Sequence, residues 1–268
     1  MTLVMGVLNV TPDSFSDGGR WSSTDAAIRH ALTLQGQGAD IIDVGGESTR
    51  PGATRVSPAE EQSRVIPVIT ELTRAGITVS VDTLNSETAL AAATAGASII
   101  NDVSGGLADP EMASVAARTG LRFVAMHWRG HAHEMEALAS YTNVVTDVRD
   151  ELAERVGALV RAGVARERIL LDPGLGFSKR PEHNWQVLAH LAAFDELGLP
   201  VLIGASRKRF LATALPADAP VLARDLPTAV VSVLAAQAGA WGVRVHDVAG
   251  TRAALNVLAL AGSDRMVP

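Results

Sequence analysis

Short apolar runs alternate with longer segments of helical periodicity along the whole chain. Each run stops at a polar residue or glycine, and the segments between runs are amphipathic or rich in alanine. Eight strands are predicted, near Val4–Leu8, Asp40–Val44, Thr78–Val81, Ser98–Asn101, Arg122–Met126, Ile169–Leu171, Val201–Ile203 and Val243–Val245. Eight helices are predicted to follow them, at Asp25–Gln37, Pro58–Ala75, Ser86–Thr94, Pro110–Arg118, Val144–Ala162, Glu182–Leu191, Leu226–Ala240 and Ala249–Leu260.

This alternation predicts an α/β fold with parallel strands and right-handed crossovers. A closed (β/α)8 barrel of the TIM type is the favoured architecture, and a doubly wound open sheet is the alternative that the pattern leaves open. Neither a linker nor a low-complexity tract interrupts the alternation. We therefore expect a single domain over residues 1–268.

The segment from Thr228 to Trp241 is apolar almost all the way round, with Ser232 and Gln237 as the polar residues beyond its first position. An outer helix of a barrel normally keeps one polar face toward solvent. A helix without one favours coverage by another subunit, and we expect a homodimer. Burial by neighbouring elements of the same chain is the alternative.

Composition narrows the class of protein. Of the 268 residues, 47% are hydrophobic and 19% charged, which suffices for a large core, and the net charge of −6 disfavours a nucleic-acid surface. Every apolar stretch is interrupted before about 18 residues, so no membrane span is expected. The absence of cysteine excludes thiolate chemistry and fits a reducing compartment. With no room for a secretory signal before the first predicted strand, we expect a cytoplasmic protein.

Polar residues follow every predicted strand, and in a parallel barrel these strand ends meet at one rim, where active sites lie. Asp82, Asn101 and Asp172 would form a deep floor of acceptors there. Buried carboxylates require donors, and a ring carrying N–H and NH2 groups supplies them in pairs. The floor therefore indicates a pterin or a purine, with Lys208 facing a ring oxygen or nitrogen.

Two further sets of residues complete this rim. Val103, Met126 and Phe177 offer the apolar contacts that a flat heteroaromatic ring needs. Asn9, Arg244 and His246 follow the first and eighth strands, which are neighbours in a barrel. An amide oxygen, a cation and an imidazole there suit a phosphate group with Mg²⁺, and Asn9 is the candidate metal ligand.

Eight motifs, in order along nearly the whole chain, closely resemble those of dihydropteroate synthases. They are LNVTPDSFSDGG (8–19), GGESTRPG (45–52), SVDT (80–83), NDVSGG (101–106), MHWRG (126–130), DPGLGF (172–177), GASRKRF (204–210) and GVRVHDV (242–248). Two of them, MHWRG and GVRVHDV, look most like the actinobacterial branch. The resemblance implies a TIM barrel and a transferase of folate biosynthesis that is the target of sulfonamides.

The implied reaction condenses 6-hydroxymethyl-7,8-dihydropterin diphosphate with 4-aminobenzoate to give 7,8-dihydropteroate and diphosphate. Asp172 and Asn101 would hold the pyrimidine edge, and Asp82 would stabilise positive charge on the pterin. Lys208 would hold the side of the ring that carries its oxygen and nitrogen, near Gly204. Arg244, His246 and Asn9 would receive the diphosphate together with Mg²⁺.

The resemblance also assigns the second substrate to two loops. Phe15 and the segment Thr49-Arg50-Pro51 would enclose 4-aminobenzoate and exclude water, with Arg50 touching the diphosphate and Asp17 facing the amine or the leaving group. Lys208 and Arg209 would meet the benzoate carboxylate. Arg209 departs from the serine of many family members, so the role of its side chain stays open.

Two rival functions share the predicted floor. A pterin-binding methyltransferase domain would not need Phe15, Asp17 or the 45–52 loop, and an inactive pterin-binding paralogue would not need to keep both loops intact. Their presence argues against both. His131 and His133 resemble a metal pair but follow the fifth strand in a polar stretch, so we expect a solvated loop. Ser206 lacks the setting of a nucleophilic serine.

Overall fold

The computed structural model describes residues 1–11, 20–47, 56–130 and 137–263, with the backbone alone for 20–23 and 263. These residues form eight parallel strands in one sheet. The strands are β1 (Leu3–Asn9), β2 (Ile41–Gly45), β3 (Val79–Asp82), β4 (Ile99–Asp102), β5 (Arg122–Met126), β6 (Ile169–Asp172), β7 (Leu202–Ile203) and β8 (Gly242–Val245).

The spatial order is β6-β5-β4-β3-β2-β1-β8-β7, so the first and last strands are neighbours. A bridge between Leu171 and Val201 joins the two edges, and the Leu171 N–H donates to the Pro200 carbonyl oxygen at 2.8 Å. The sheet therefore closes into a TIM barrel, as predicted, and the doubly wound alternative is excluded. Over the described residues, the β6–β7 join is the shortest of the barrel.

Helices occupy the predicted intervals. They are α1 (Arg20–Gly36), α2 (Pro58–Arg74), α3 (Ser86–Thr94), α4 (Met112–Thr119), α5 (Val144–Arg161), α6 (Pro181–Ala189), α7 (Asp225–Gln237) and α8 (Val248–Ser263). Polar side chains fix two of the helix starts. The hydroxyl of Ser57 accepts from the Glu60 N–H at 3.2 Å, and the Asn143 side chain accepts from the Val145 and Thr146 N–H groups.

The start of α1 differs most from the prediction, because the helix begins at Arg20 and not at Asp25. Serine and threonine have a helix propensity within about 1 kcal/mol of alanine, so the polar residues before Asp25 do not end the helix. Short 3-10 segments that the periodicity did not predict also surround β7, at Leu191–Leu197, Arg209–Ala214 and Val221–Arg224.

The apolar residues form two clusters. A large one lies between the barrel and its helices, and a small one fills the barrel's N-terminal half. The small cluster contains Met5, Ile41, Ile99, Val124, Leu170 and Leu202. Because strand side chains alternate, the next inward positions lie two residues further along, toward the C-terminal rim.

Helix α7, which the sequence predicts to be apolar on nearly all sides, is buried on only one face within the chain. Its Thr228, Val231, Ser232 and Ala235 are buried, and the Ser232 hydroxyl donates to the Thr228 carbonyl oxygen at 2.9 Å. The opposite face keeps three large apolar side chains in solvent, at Leu226, Val230 and Leu234. Neighbours within the chain therefore cover one face of the helix and leave an apolar stripe on the other. None of the helices in the described ranges has the length and hydropathy to cross a membrane.

Candidate active site

On several strands the inward-facing side chain changes from apolar to polar between one inward position and the next, two residues further along. Asp43 follows Ile41, Asn101 follows Ile99, and Asp172 follows Leu170 on the same inward face. The C-terminal half of the barrel interior therefore contains carboxylates, an amide and a guanidinium, and these lie on the small apolar cluster that fills the N-terminal half. They are Asp43, Asp82, Asn101, Asp172 and Arg244.

Arg244 links two of these carboxylates. Its Nε donates to Asp43 Oδ2 at 2.6 Å, and its Nη2 donates to Asp82 Oδ2 at 2.6 Å. The Asn101 amide donates to the same Asp43 oxygen at 3.0 Å. One cation therefore serves two buried carboxylates, and Asp43 orients both Arg244 and Asn101.

Arg244 brings one positive charge to two carboxylates, so Arg244, Asp43 and Asp82 together have excess negative charge. Burial raises the pKa of Asp82 to about 7, Arg244 lowers it, and Asp43 raises it further as a neighbouring carboxylate. The two carboxylates raise the pKa of Arg244 above its usual value, so the guanidinium stays charged. The floor of the barrel can therefore take a positively charged or proton-donating group next to Asp82.

Asp172 lies in a second group of contacts at the end of β6. Its Oδ1 accepts from the Gly174 N–H at 2.7 Å, and its backbone oxygen accepts from the His127 N–H at 2.8 Å. Burial raises the pKa of Asp172, while Lys208 and the Gly174 N–H lower it. A β-carbon at Gly204 would lie 3.4 Å from Asp172 Oδ2 and 3.8 Å from Lys208 Nζ. Glycine there leaves space directly over both charged groups.

Lys208 reaches this space from the loop after β7. Its ammonium donates to the Leu175 carbonyl oxygen and lies 4.6 Å from the centre of the Phe177 ring. A β-carbon at Gly176 would come within 2.7 Å of Lys208 Cδ, so the lysine stem requires glycine at that position. Burial lowers the pKa of Lys208 to about 8, against the attraction of Asp172.

The structure brings most of the predicted floor and ring contacts together. Asp82, Asn101 and Arg244 meet through Asp43, while Lys208 and Phe177 surround the position beside Asp172 and Gly204. Met126 is the register partner of Asp172 across β5 and β6. The half-buried Val103 follows β4 directly.

Other predicted residues lie further out on the rim. Asn9 ends β1 opposite Gly45, and His246 follows β8. The His246 Nδ1 contacts the Ser206 hydroxyl at 2.8 Å. Arg209 is exposed at the start of a 3-10 segment. Phe15, Asp17, Thr49, Arg50, Pro51, His131 and His133 lie outside the described residues.

Asp43 is the floor residue that sequence reasoning missed. It lies inside the predicted strand Asp40–Val44, not after it, and its side chain is completely buried. The sequence did contain a signal for it, since Asp43 is a carboxylate inside an apolar run and on the same strand face as Ile41. A buried acid needs a polar or charged partner, so such a residue is a candidate for a functional site.

A metal ion would find few protein ligands at this rim. Over the described residues, no group of three or more histidine or acidic side chains could hold one. Asn9 offers a single amide oxygen at the end of β1. That donor set fits Mg²⁺ bound mainly through substrate phosphate oxygens and does not fit a resident all-protein metal site.

The sequence model of pterin-binding enzymes matches residues 5–246. The chain belongs to the pterin-binding enzyme family. Among its relatives in this family is the dihydropteroate synthase of Mycobacterium leprae, which is 50% identical over 265 residues, covering 97% of this chain and 92% of the relative.

Solved structures of the same pterin-binding family agree over the full length. Xanthomonas albilineans dihydropteroate synthase with 4-aminobenzoic acid superposes with a TM-score of 0.89 at 43% identity, covering 100% of this chain and 94% of the other. The same enzyme in complex with 7,8-dihydropteroate gives 0.87 at 40% identity, covering 100% and 95%.

Proposed function

We propose that this chain condenses 6-hydroxymethyl-7,8-dihydropterin diphosphate with 4-aminobenzoate, giving 7,8-dihydropteroate and diphosphate. It is a transferase of folate biosynthesis, in agreement with relatives and solved structures that are dihydropteroate synthases over almost their whole length. The observation that carries the proposal is the meeting of Asp82, Asn101, Asp172 and Lys208 at one rim of the barrel.

We assign the pyrimidine edge of the pterin to Asp172 and Asn101. The Asp172 carboxylate is 5% exposed and uses Oδ1 for the Gly174 N–H, while Oδ2 faces the space over Gly204. A paired N–H and NH2 edge would supply this buried carboxylate with the donors it needs. Asn101 would add an amide whose orientation is set by its bond to Asp43.

Asp82 is assigned to charge stabilisation. Breaking the carbon–oxygen bond to diphosphate leaves positive charge that the dihydropterin ring delocalises, and a fixed carboxylate nearby stabilises it. Asp82 is held by Arg244, so it need not reorganise as that charge develops. Its pKa near 7 means that substrate binding must favour the ionised form.

The faces and the opposite edge of the ring are assigned to Lys208, Phe177, Met126, Val103 and Gly204. The Lys208 ammonium can donate to a ring oxygen or nitrogen while it stays next to Asp172. Phe177 lies under that ammonium and presents a flat apolar surface. Gly204 provides the close approach.

The diphosphate is assigned to Asn9 and His246 at the β1 and β8 ends, with Arg244 as the nearby guanidinium. Asn9 would contribute one oxygen to Mg²⁺ that arrives with the diphosphate, and the ion, when bound, offsets charge on the leaving group. Ser206 orients the His246 ring through its contact with Nδ1.

Phe15, Asp17, Thr49, Arg50, Pro51 and Arg209 are assigned to the arylamine side. The two loops would exclude water, which would otherwise capture the cationic pterin. Asp17 would face the amine of 4-aminobenzoate, Arg50 the diphosphate, and Lys208 and Arg209 the benzoate carboxylate. Sulfonamides, as arylamines, would compete for this position.

We also propose that the chain forms a homodimer through α7 and α8. Leu226, Val230 and Leu234 repeat every four residues along α7, and Val257 and Leu260 extend the apolar surface on α8. A second copy of the same stripe would cover them symmetrically. We further propose a single domain and a reducing, cytoplasmic compartment, in keeping with a chain that has no cysteine.

The function is tested by incubating the purified chain with the pterin diphosphate, Mg²⁺ and 4-aminobenzoate and measuring dihydropteroate. We expect product only when 4-aminobenzoate is present, and we expect a sulfonamide to raise the KM for 4-aminobenzoate. Pterin binding without product would instead identify an inactive paralogue, and methyl transfer to a corrinoid partner would identify the rival methyltransferase.

A further inference from the structure

The chain contains two lysines, Lys179 and Lys208, among its 23 basic residues, and both lie beside Asp172. Lys208 belongs to the site described above. Lys179 follows β6 seven residues after Asp172 and is not among the residues assigned to either substrate. Its side chain is half-buried.

Three acceptors surround the Lys179 ammonium. Its Nζ lies 2.9 Å from His127 Nδ1, 3.1 Å from the Gly174 carbonyl oxygen and 3.2 Å from the Phe177 carbonyl oxygen. An ammonium group has three protons to donate, so a protonated Lys179 satisfies all three. A neutral amine has two protons and would leave one acceptor without a donor.

The protons on His127 follow from its two contacts. Its ring is 3% exposed, and its Nε2 lies 2.9 Å from Glu151 Oε2 on α5. A carboxylate accepts hydrogen bonds, so Nε2 carries the proton and Nδ1 accepts from Lys179. Burial and the Lys179 charge lower the pKa of His127 to about 4, which keeps the ring neutral.

Glu151 is linked to the β6–α6 loop by two chains of contacts, which we call arms. The first arm runs through His127 to Lys179, and the second runs through Arg129 and Tyr141. Arg129 Nε donates to Glu151 Oε2 at 3.0 Å, and the guanidinium lies 3.9 Å from the centre of the Tyr141 ring. The Tyr141 hydroxyl donates to the Ser178 carbonyl oxygen at 2.8 Å. Both arms therefore end on successive residues of the β6–α6 loop, one at Ser178 and one at Lys179.

The Lys179 contacts lead directly to Asp172. Gly174 accepts from Lys179 through its carbonyl oxygen and donates to Asp172 Oδ1 through its N–H. Gly174 has a φ of +67°, and a β-carbon there would collide with the His127 carbonyl oxygen. Gly174 therefore connects the Lys179 ammonium to the Asp172 carboxylate through a single residue.

We infer that Lys179 is a positioning residue for the pterin substrate, acting through Gly174 on Asp172 and anchored through His127 to Glu151. The inference rests on the proposed function, because it requires that Asp172 bind the pterin. Lys179 does not touch the reacting atoms. It fixes the loop that follows Asp172 and carries Phe177, so it sets the affinity for the pterin diphosphate and not the affinity for 4-aminobenzoate.

The protonation of Lys179 makes this role depend on pH. Burial lowers its pKa to about 7; Asp172 and Glu151 raise it, whereas Lys208 and Arg129 lower it. His127, the remaining titratable neighbour, is neutral near pH 7. Above about pH 7 the amine can no longer satisfy three acceptors, and Asp172 loses a neighbouring positive charge. Pterin affinity should fall over that range.

The first test compares Lys179→Met with the matched control Arg180→Met, which changes the adjacent exposed basic residue. For Lys179→Met we expect the KM for the pterin diphosphate to rise about ten- to hundredfold, the effect of losing a charged hydrogen-bond donor, with the KM for 4-aminobenzoate nearly unchanged. Arg180→Met should leave both constants unchanged. An unaltered KM for the pterin diphosphate in Lys179→Met would overturn the inference.

The second test follows Lys179 directly. Lysine labelled with ¹³C at Cε gives two side-chain signals in this chain, and Lys179→Met assigns them. The Lys179 signal should titrate near pH 7, and the KM for the pterin diphosphate should rise with the same midpoint. Asp82 and Lys208 have pKa values of about 7 and about 8, so they can also change the KM in this pH range. The pH profile of wild type is therefore compared with that of Lys179→Met, in which the rise in KM that is due to Lys179 (this limb of the profile) should be missing. A Lys179 signal that titrates near 10.5 would overturn the pH dependence inferred for this role.

Glu151→Gln provides a variant that leaves Lys179 in place should Lys179→Met not fold. Since Glu151 raises the pKa of Lys179, its neutralisation should move the Lys179 midpoint, and the limb in KM, to lower pH. A limb that stays in place while the Lys179 signal moves would overturn the inference. A wild-type chain that makes no dihydropteroate would contradict the proposed function instead, and the Lys179 titration would still report on the contacts.

Discussion

Asp82 and Arg244 are 162 residues apart in the sequence and are joined at 2.6 Å inside the barrel. The same guanidinium contacts Asp43, so the charge balance of the floor depends on one residue of β8. Neither carboxylate is exposed enough for water to replace that cation. The pair therefore links the stability of the fold to the chemistry of the site.

Replacing Arg244 should destabilise the fold. Arg244→Met leaves Asp43 and Asp82 buried without their cation and should lower the free energy of unfolding by about 3–5 kcal/mol at pH 8. The loss should be smaller at pH 5.5, where protonation of Asp82 removes one of the buried negative charges. Denaturant unfolding at both pH values measures the loss, and equal losses would show that Asp82 does not titrate in this range.

Asp82 should give stability a specific pH dependence. Its pKa in the folded chain lies near 7, above the usual 3.8, so the folded state binds this proton more tightly than the unfolded state. Its contribution to stability is full below pH 3.8 and is lost as the pH rises toward 7. The unfolding free energy of wild type relative to Asp82→Asn should therefore fall by up to about 1.4 kcal/mol per pH unit between pH 5 and 7. A flat difference would place the Asp82 pKa elsewhere.

Asp172→Asn tests the assignment of the pterin edge. The change removes a carboxylate that would accept two charge-assisted hydrogen bonds and should cost about 3–5 kcal/mol in binding of the pterin diphosphate. Calorimetric titration measures this loss, with Asp218→Asn as a control at an exposed acid. Normal binding by Asp172→Asn would move the pterin edge to other residues.

Asp17→Ala separates binding from turnover. If Asp17 faces the amine or the leaving group, this variant should bind the pterin diphosphate as wild type does and form dihydropteroate more slowly. A loss of about tenfold or more in kcat corresponds to removal of about 1.4 kcal/mol of transition-state stabilisation. Unchanged turnover would remove Asp17 from the mechanism.

Leu234→Glu tests the homodimer. A charge in the middle of the apolar stripe on α7 should shift the chain from dimer to monomer in sedimentation at micromolar concentration. Leu90→Glu, on the exposed face of α3, is the control and should not change the mass. A wild-type chain that is already a monomer would contradict the proposed homodimer.

The sequence predicted the barrel because each level of its pattern agrees. Apolar runs, helix caps and strand spacing specify the same eight repeats, and the polar residues Asp82, Asn101 and Asp172 at the strand ends mark the rim. The interval around β7 was less predictable. That strand has two residues and is surrounded by 3-10 segments, whose short repeats produce no helical periodicity.

The contacts within the site were less accessible to sequence reasoning. The link between Arg244 and Asp43 spans 201 residues, and that between Lys179 and His127 spans 52. Local pattern shows that a carboxylate or a lysine is present but not which group it meets, because that depends on how the strands align. Asp43 and Lys179 were missed for this reason.

The short join between β6 and β7 has a consequence for substrate binding. Asp172 ends one of these strands and Lys208 follows the other, so a ring bound as proposed would span the join with the fewest strand pairs among the described residues. The substrate would then connect two strands that the backbone joins with few hydrogen bonds. Bound pterin should therefore hold the ends of β6 and β7 together.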